Sequence, residues 1–313
     1  MYKFLQGLSV IIFILILILI SPQYSFADSY NGFDISNSSI PKEEIISGGP
    51  PKDGIPAILQ PGFVSIKKSE WLKDEDLVVG VTKNEMSKAY PLRILVWHEA
   101  VNDAIGDDPI LVTYCPLCGS TLVFKRNVDG ENLTFGISGL LYQSNVLFYD
   151  HQSESLWSQL GMKAVSGKMK GSELELYPSI LSTWKEWRKE HPDTIVLSRN
   201  IGIQRDYNYN PYSRYEKSEN LMFPVKKRSN ILDPKEKVLV VIFKKDAKVY
   251  PFSVLENIDG SLKDEIRGKS LKIVSRNGNL FEAIDTEGNK LKTFVTYWFA
   301  WYTFRPDTLL YNK

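Results

Sequence analysis

The sequence predicts an α+β fold, predominantly β, built from two related strand-rich modules. Three observations predict it. Short apolar runs separated by turn residues recur from Phe63 onward, the pattern of strands. Aromatic residues make up 12% of the chain, a content that suits sheet packing. One stretch also occurs twice: DLVVGVTKNEMSKAYPLRIL (76–95) resembles EKVLVVIFKKDAKVYPFSVL (236–255) at an offset of 160 residues, with Tyr90 over Tyr250 and Pro91 over Pro251. Each copy reads as an apolar strand, a charged turn, a strand ending in Tyr-Pro, and a helix start. Recurrence of one such unit is the mark of an internal duplication.

The elements follow in chain order. Lys3 precedes the apolar run 8–20, and Ser25 and Ala27 occupy the small positions of a cleavage site. Residues 1–27 therefore read as a secretory signal peptide, with an uncleaved N-terminal membrane anchor as the alternative. Either places the rest of the chain outside the cytoplasm, secreted or periplasmic. Without Lys3 the basic residues fall from 38 to 37, equal to the 37 acidic ones. A neutral chain points away from nucleic acid, and a membrane is expected as a partner only if the leader is retained.

Residues 28–61 are rich in Ser, Asn, Gly and Pro and read as an extended lead-in. Its GGPPKDGIPAI is expected to be a fixed loop, because Ile55, Ile58 and Leu59 need burial. Residues 62–200 form the first module, with strands at 77–81, 88–91, 110–114, 121–125, 133–138 and 145–150. Asp-Gly within NVDGEN (127–132) signals a hairpin. Helices are expected at 93–104 and 179–190, the second capped by Ser182 or Thr183 and stopped by Pro192. Residues 201–313 form the second module, which has no cysteine.

Both cysteines lie in TYCPLCGSTLVF (113–124), at Cys115 and Cys118. An exported chain normally pairs two cysteines. A loop this short restrains little of the unfolded chain, so the pair is expected to serve chemistry more than stability. Four readings stay open. A zinc knuckle lacks a second pair to complete four ligands. A thioredoxin-like dithiol lacks the helix that should follow the motif, because GSTLVFKR reads as a strand. An inert disulfide would suit a surface binding or assembly protein. A soft metal, copper above all and zinc less so, suits thiolates with an imidazole.

His98 is the best third ligand for such a metal. The chain has three histidines; His151 lies in a polar turn and His191 at a helix end. On the expected helix, His98 and Asn102 are four apart and share a face. The leading expectation is a copper-type redox protein or enzyme with Cys115, Cys118 and His98 as ligands. Metal-free thiol–disulfide exchange is the rival. FGISGLLYQSNVLFYDHQSESLWSQLG (135–161) supplies Tyr142, Asn145, Asp150, Ser158 and Gln159 as candidate catalytic residues beside the two cysteines, with Ser138 and Ser144 nearby. There is no Gly-x-Ser-x-Gly elbow and no phosphate-binding glycine loop. The expected partner is a small molecule or another exported protein.

HEAVND, TYCPLCGSTLVF, FGISGLLYQSNVLFYDHQSESLWSQ and DYNYNPYSRYE (206–216) occur in that order. Together they resemble the motifs of the family catalogued as domain of unknown function 3179, over most of the chain from about Lys52. The resemblance brings no activity with it. It implies that His98, Cys115, Cys118, Ser138, Tyr142, Asn145, Asp150, Trp157, Ser158 and Gln159 occupy family motif positions, more like a site than a core.

Overall fold

Two hairpins organise the chain in the computed structural model, which describes residues 29–312 apart from 245, 259 and 277–279. In the first, Leu77–Lys83 pairs with Met86–Pro91 and leads into the helix Leu92–His98. In the second, Lys237–Phe243 pairs with Asp246–Pro251 and leads into Phe252–Leu255. The β-branched runs bury Val78, Val79 and Val81 in one and Val238, Val240 and Val241 in the other. Pro91 and Pro251 each close a strand and then serve as the N-cap of a helix. Their fixed φ suits that place and their missing N–H costs nothing there.

The two hairpins are flanked alike. Ile180–Thr183 adds antiparallel to the first and Lys292–Tyr297 to the second. Each flanking strand runs into a helix, Trp184–Glu190 or Trp298–Phe304. A short strand then returns parallel to the hairpin, Ile195–Leu197 beside Lys88 and Leu309–Leu310 beside Lys248. In each unit an indole N–H is anchored on a threonine: Trp187 Nε1 donates to Thr194 Oγ1 at 3.0 Å and Trp301 Nε1 to Thr308 Oγ1 at 2.9 Å. Each also has a three-stranded meander, Ala100–Ile105, Asp108–Cys115 and Ser120–Lys125 against Ser261–Ile266, Lys269–Arg276 and Leu280–Asp285.

The units differ between the meander and the flanking strand. The second passes directly from Asp285 to Lys292. The first inserts residues 126–179, whose strands Phe135–Tyr142, Asn145–Asp150, Leu156–Ser158 and Lys163–Ser166 form a five-stranded sheet with Ile45–Ser47 at its edge. A seven-stranded sheet joins the units through the pairing of Val295 with Thr121.

At 43% strand and 13% helix, the fold is predominantly β as expected. The NVDGEN hairpin is present, with Asp129 and Gly130 at positive φ. Three local expectations need correction. The helix expected at 93–104 ends at His98, and Ala100–Ile105 is a strand. Gly106, at φ +57°, closes a tight hairpin onto Asp108–Cys115, and that pairing overrides the helical spacing. The helix expected at 179–190 begins only at Trp184, where Thr183 accepts the Glu186 N–H at 3.3 Å; the residues before it are a strand. In the lead-in, Ile58 is buried and exchanges backbone hydrogen bonds with Ala100 and Asn102, but Leu59 is 47% exposed. The leader at 1–27 lies outside the described residues. Among those described, no helix is long and apolar enough to cross a membrane.

Candidate functional site

The strand Asp108–Cys115 ends on the first cysteine, and the chain reverses within residues 116–119 to pair Ser120 with Cys115. Cys118 N–H donates to the Cys115 carbonyl at 3.1 Å. Gly119 completes the reversal at φ +55°, and an added Cβ there would meet the Tyr297 ring at 2.8 Å. Position 119 therefore needs glycine both for its backbone and for the ring above it. Both cysteines are free thiols and buried.

The two sulfurs differ. Burial pushes the Cys115 thiol up, but the Cys118 side chain and the backbone N–H groups of Val146, Cys118 and Leu117 all donate to its sulfur and hold it below the usual thiol range. Cys118 is pushed well above that range, first by burial and then by its neighbour Cys115. The pair thus favours one thiolate on Cys115 and one proton on Cys118.

The insert supplies the cover. Between Tyr142 and Asn145 the hairpin turns through Gln143 at φ +51° and Ser144 at φ +64°. Such turns favour Asn-Gly, and a left-handed non-glycine residue costs about 1–2 kcal/mol. The strain is held by side chains from elsewhere. Gln143 bonds Glu44, the Lys226 N–H and Thr303. The Ser144 carbonyl lies 3.3 Å from the Cys118 sulfur, a second acceptor for the one thiol proton that Cys118 also directs at Cys115, while the Ser144 hydroxyl is buried with no hydrogen-bond partner among the described residues. Asn145 touches the Cys118 sulfur with its side chain and donates to Gln159 Oε1 at 2.9 Å. Gln159 also accepts from Ser120 Oγ at 2.6 Å and donates to Thr113 Oγ1 at 2.9 Å, tying both strands that lead into and out of the cysteine loop.

Of the residues singled out from the sequence, the structure brings together Cys115, Cys118, Asn145 and Gln159. The others have different surroundings. The Asp150 carboxylate accepts from Ser153 and from Trp157 Nε1, the bonds of a local turn. Ser158 Oγ accepts the Gly161 N–H, and Ser138 Oγ donates to the Leu147 carbonyl. Tyr142 packs edge-on against Phe304. His98 has both ring nitrogens occupied, Nδ1 by the Pro56 carbonyl at 2.7 Å and Nε2 by the Tyr207 hydroxyl at 2.8 Å. It shares no helix face with Asn102, whose amide is bound to the backbone of Phe135. Among the described residues no group of three or more His, Cys, Asp or Glu is placed to hold a metal ion.

One further residue of the HEAVND motif, outside the candidate set, lies at the site. Glu99 is the left-handed C-cap of the helix Leu92–His98, at φ +58°, and is 5% exposed. Its carboxyl makes no hydrogen bond to another described residue. Burial, and then the nearby Cys115, push it well above the usual carboxylate range. Its spacing in the sequence carried no sign of this, because the anomaly lies in φ and burial.

A cleft of about 490 Å³ opens beside the cysteine loop where the two units meet. Tyr114 and Gly119, on either side of the loop, line it together with Arg93, Asn208 and Lys237. Tyr215, in the same motif as Asn208, donates its hydroxyl to the Leu117 carbonyl at 2.8 Å. The motif 206–216 thus both lines the cleft and braces the loop. No curated protein and no solved structure matches the chain. The family model described as "Protein of unknown function (DUF3179)" matches residues 52–308, and the chain belongs to that family.

Proposed function

We propose that this chain is an exported dithiol redox protein that exchanges electrons with a disulfide. The observation that carries the reading is the pair of free thiols held in one tight turn, Cys118 N–H on the Cys115 carbonyl at 3.1 Å, with Cys115 favoured as the thiolate. A thiolate is the attacking species in disulfide exchange, and donated hydrogen bonds favour it. Cys115 attacks one sulfur of a substrate disulfide, forming a mixed disulfide and releasing a substrate thiolate, which takes a proton from solvent. Cys118 then loses its proton and attacks Cys115. The second substrate thiolate leaves, two electrons have passed to the substrate, and Cys115–Cys118 is a disulfide. The reverse sequence oxidises a substrate dithiol. Because both sulfurs are buried, exchange requires their cover to open, and the strained Gln143–Ser144 turn is the part that stores energy toward opening.

Copper(I) held between the same two sulfurs is the second reading, supported by the softness of thiolates. It requires Cys118 to lose its proton as well, against the burial and the neighbouring charge that retain it. His98 would have to leave two hydrogen bonds to join. Dithiol exchange asks less of the site.

Equilibration in glutathione buffers, with thiols counted by alkylation after unfolding, tests the reading. Half-oxidation between about −270 and −120 mV supports a redox dithiol; a midpoint below about −300 mV indicates a structural bridge. Stoichiometric copper after Cu(I) reconstitution, lost in the Cys115→Ser/Cys118→Ser variant, would put the metal reading first.

The two units are further read as copies of one ancestral unit. The matched hairpins, the parallel return strands and the two indole–threonine anchors support this. The chemistry belongs to the first copy and its insert.

A further inference from the structure

The motif at 206–216 and the cleft it lines are not used by the thiol exchange described above. Two features suit the cleft to a ligand. Tyr114 and Tyr297 are each 6% exposed and both line it. Neither hydroxyl bonds another described residue and neither is sealed from solvent, so both open onto the cleft as free polar groups. Burial holds both phenols above their ordinary range, so they remain O–H donors.

The charges say what the ligand is not. Glu75, Asp76 and Glu216 face Arg93, Lys235 and Lys237, three of each sign. Several are already committed. Arg93 pairs with Asp76 at 2.8 Å, Glu216 accepts from Asn210 at 3.0 Å, and Lys235 donates to the Tyr215 and Ser218 carbonyls. A cleft with no net charge and an occupied guanidinium does not select a phosphate or a nucleotide. What it offers is the two phenol hydroxyls, the side-chain N–H2 of Asn208, whose oxygen already accepts from Arg93 at 3.3 Å, and the flat, 56% exposed face of Tyr209. Free O–H and N–H donors beside an aromatic face suit the carbonyl oxygens and side chains of a peptide.

We infer that this cleft binds an extended, uncharged peptide segment, with Tyr114 and Tyr297 donating to its carbonyls, and so presents a cysteine of a partner protein to the dithiol loop. The substrate class rests on the dithiol reading, since a saccharide could use the same hydroxyls but carries no sulfur. Gly119 lines the cleft directly after Cys118, so a peptide held there lies against the loop; the sulfurs are buried beneath it and do not line the cleft, so exchange with the bound peptide still requires their cover to open.

The test separates binding from exchange. The probe is a pool of short, acetyl- and amide-capped random-sequence peptides with a central S-methylcysteine, which cannot exchange. Binding is read by saturation-transfer NMR on the Cys115→Ser/Cys118→Ser variant. Saturable binding is expected, weakened about tenfold by Tyr114→Phe/Tyr297→Phe, which keeps both rings. Tyr209→Ala, at a 56% exposed position whose ring packs on Trp97, is expected to weaken it as well. Absence of saturable peptide binding would overturn the assignment. So would binding unaffected by all three substitutions, or displacement by neutral oligosaccharide and not by peptide. If small-disulfide exchange proceeds while peptides fail to bind, the cleft assignment alone is wrong. If peptides bind while the cysteines never exchange, the cleft stands and the dithiol reading falls.

Discussion

The two units of this protein share a frame and differ in what hangs on it. In both, a hairpin tyrosine donates to an aspartate of the next meander, Tyr90 to Asp103 at 2.6 Å and Tyr250 to Asp264 at 2.8 Å. In both, a lysine two residues earlier pairs with the same carboxylate, Lys88 at 2.9 Å and Lys248 at 2.6 Å. Only the first unit carries cysteines at the end of its second meander strand, and only it has residues 126–179 to lay the Gln143–Ser144 turn over them. The difference teaches that the frame does not by itself make the site. The cysteine loop needs donors and a cover from outside the shared frame, and the insert provides Val146 and Asn145 as donors and the turn as cover.

The hardest test of the shared frame is its indoles. Trp187 and Trp301 are fully buried. Trp187→Ala and Trp301→Ala are each expected to cost about 3–5 kcal/mol, read by urea unfolding. A near-neutral result at one of them would break the comparison. The packing beneath them differs. A Cβ on Gly80 would meet Trp187 Cζ3 at 2.1 Å, whereas the position 160 residues later is Val240, also buried. Gly80→Val is therefore expected to cost about 1–3 kcal/mol or more from overpacking. If Gly80→Val is tolerated, the first indole is not seated as described.

The anchors under the indoles sharpen the same comparison. Thr194→Val and Thr308→Val each leave an indole N–H without its acceptor, a loss of about 1–3 kcal/mol when the group is buried. The Trp187–Thr194 bond is buried and the Trp301–Thr308 bond only partly so. Thr194→Val should therefore be the costlier substitution. Equal costs in thermal unfolding would mean that water reaches both indoles alike.

This second correspondence was hidden in the sequence for a physical reason. TWKEW…HPDT (183–194) and YWFAW…RPDT (297–308) align at an offset of 114, while the hairpins align at 160. The insert changes the spacing between the two segments of each unit, so one periodicity could not reveal both. The strands expected at 77–81 and 145–150 were readable because a short apolar run between turn residues decides each of them locally. The helix expected at 93–104 was misread because His98 and Asn102 have helical spacing, while Gly106 turns the chain back to pair across the sheet. The cysteines, Asn145 and Gln159 were readable as motif side chains. The Val146 N–H and the Ser144 carbonyl were not, since backbone donors and acceptors leave no mark in a sequence.

The thiol pair separates the units spectroscopically. Thiolate absorbance is expected to titrate below the usual thiol range in the wild type and to disappear from that range in Cys115→Ser. Cys118→Ala removes one donor from Cys115, so its thiolate should persist but form at higher pH than in the wild type. If Cys118 is instead the group that titrates low, the assignment of the two sulfurs is reversed.

The smallest expected effect concerns the residue just before each meander. In the first unit it is Glu99 at φ +58°; in the second it is Gly260 at φ +75°. Both backbones enter the left-handed region, and the second uses the residue that does so without strain. Glu99→Gly should relieve about 1–2 kcal/mol of strain, offset by about 0.5–1 kcal/mol of added chain entropy in the unfolded state. Glu99→Gln keeps the strain and removes only the ionisable group, so it isolates the charge. The folded protein holds this carboxyl's pKa above its unfolded value, so the proton is bound more tightly when folded. Its contribution is most favourable below the unfolded pKa, about 4.3, and is lost as pH rises toward the folded pKa. Glu99→Gln should therefore match the wild type in the acid range and exceed it increasingly toward neutral pH, read as the difference in Tm across pH. A difference independent of pH would mean that the carboxyl is not buried uncompensated beside Cys115. The first unit would then differ from the second at this position by shape alone.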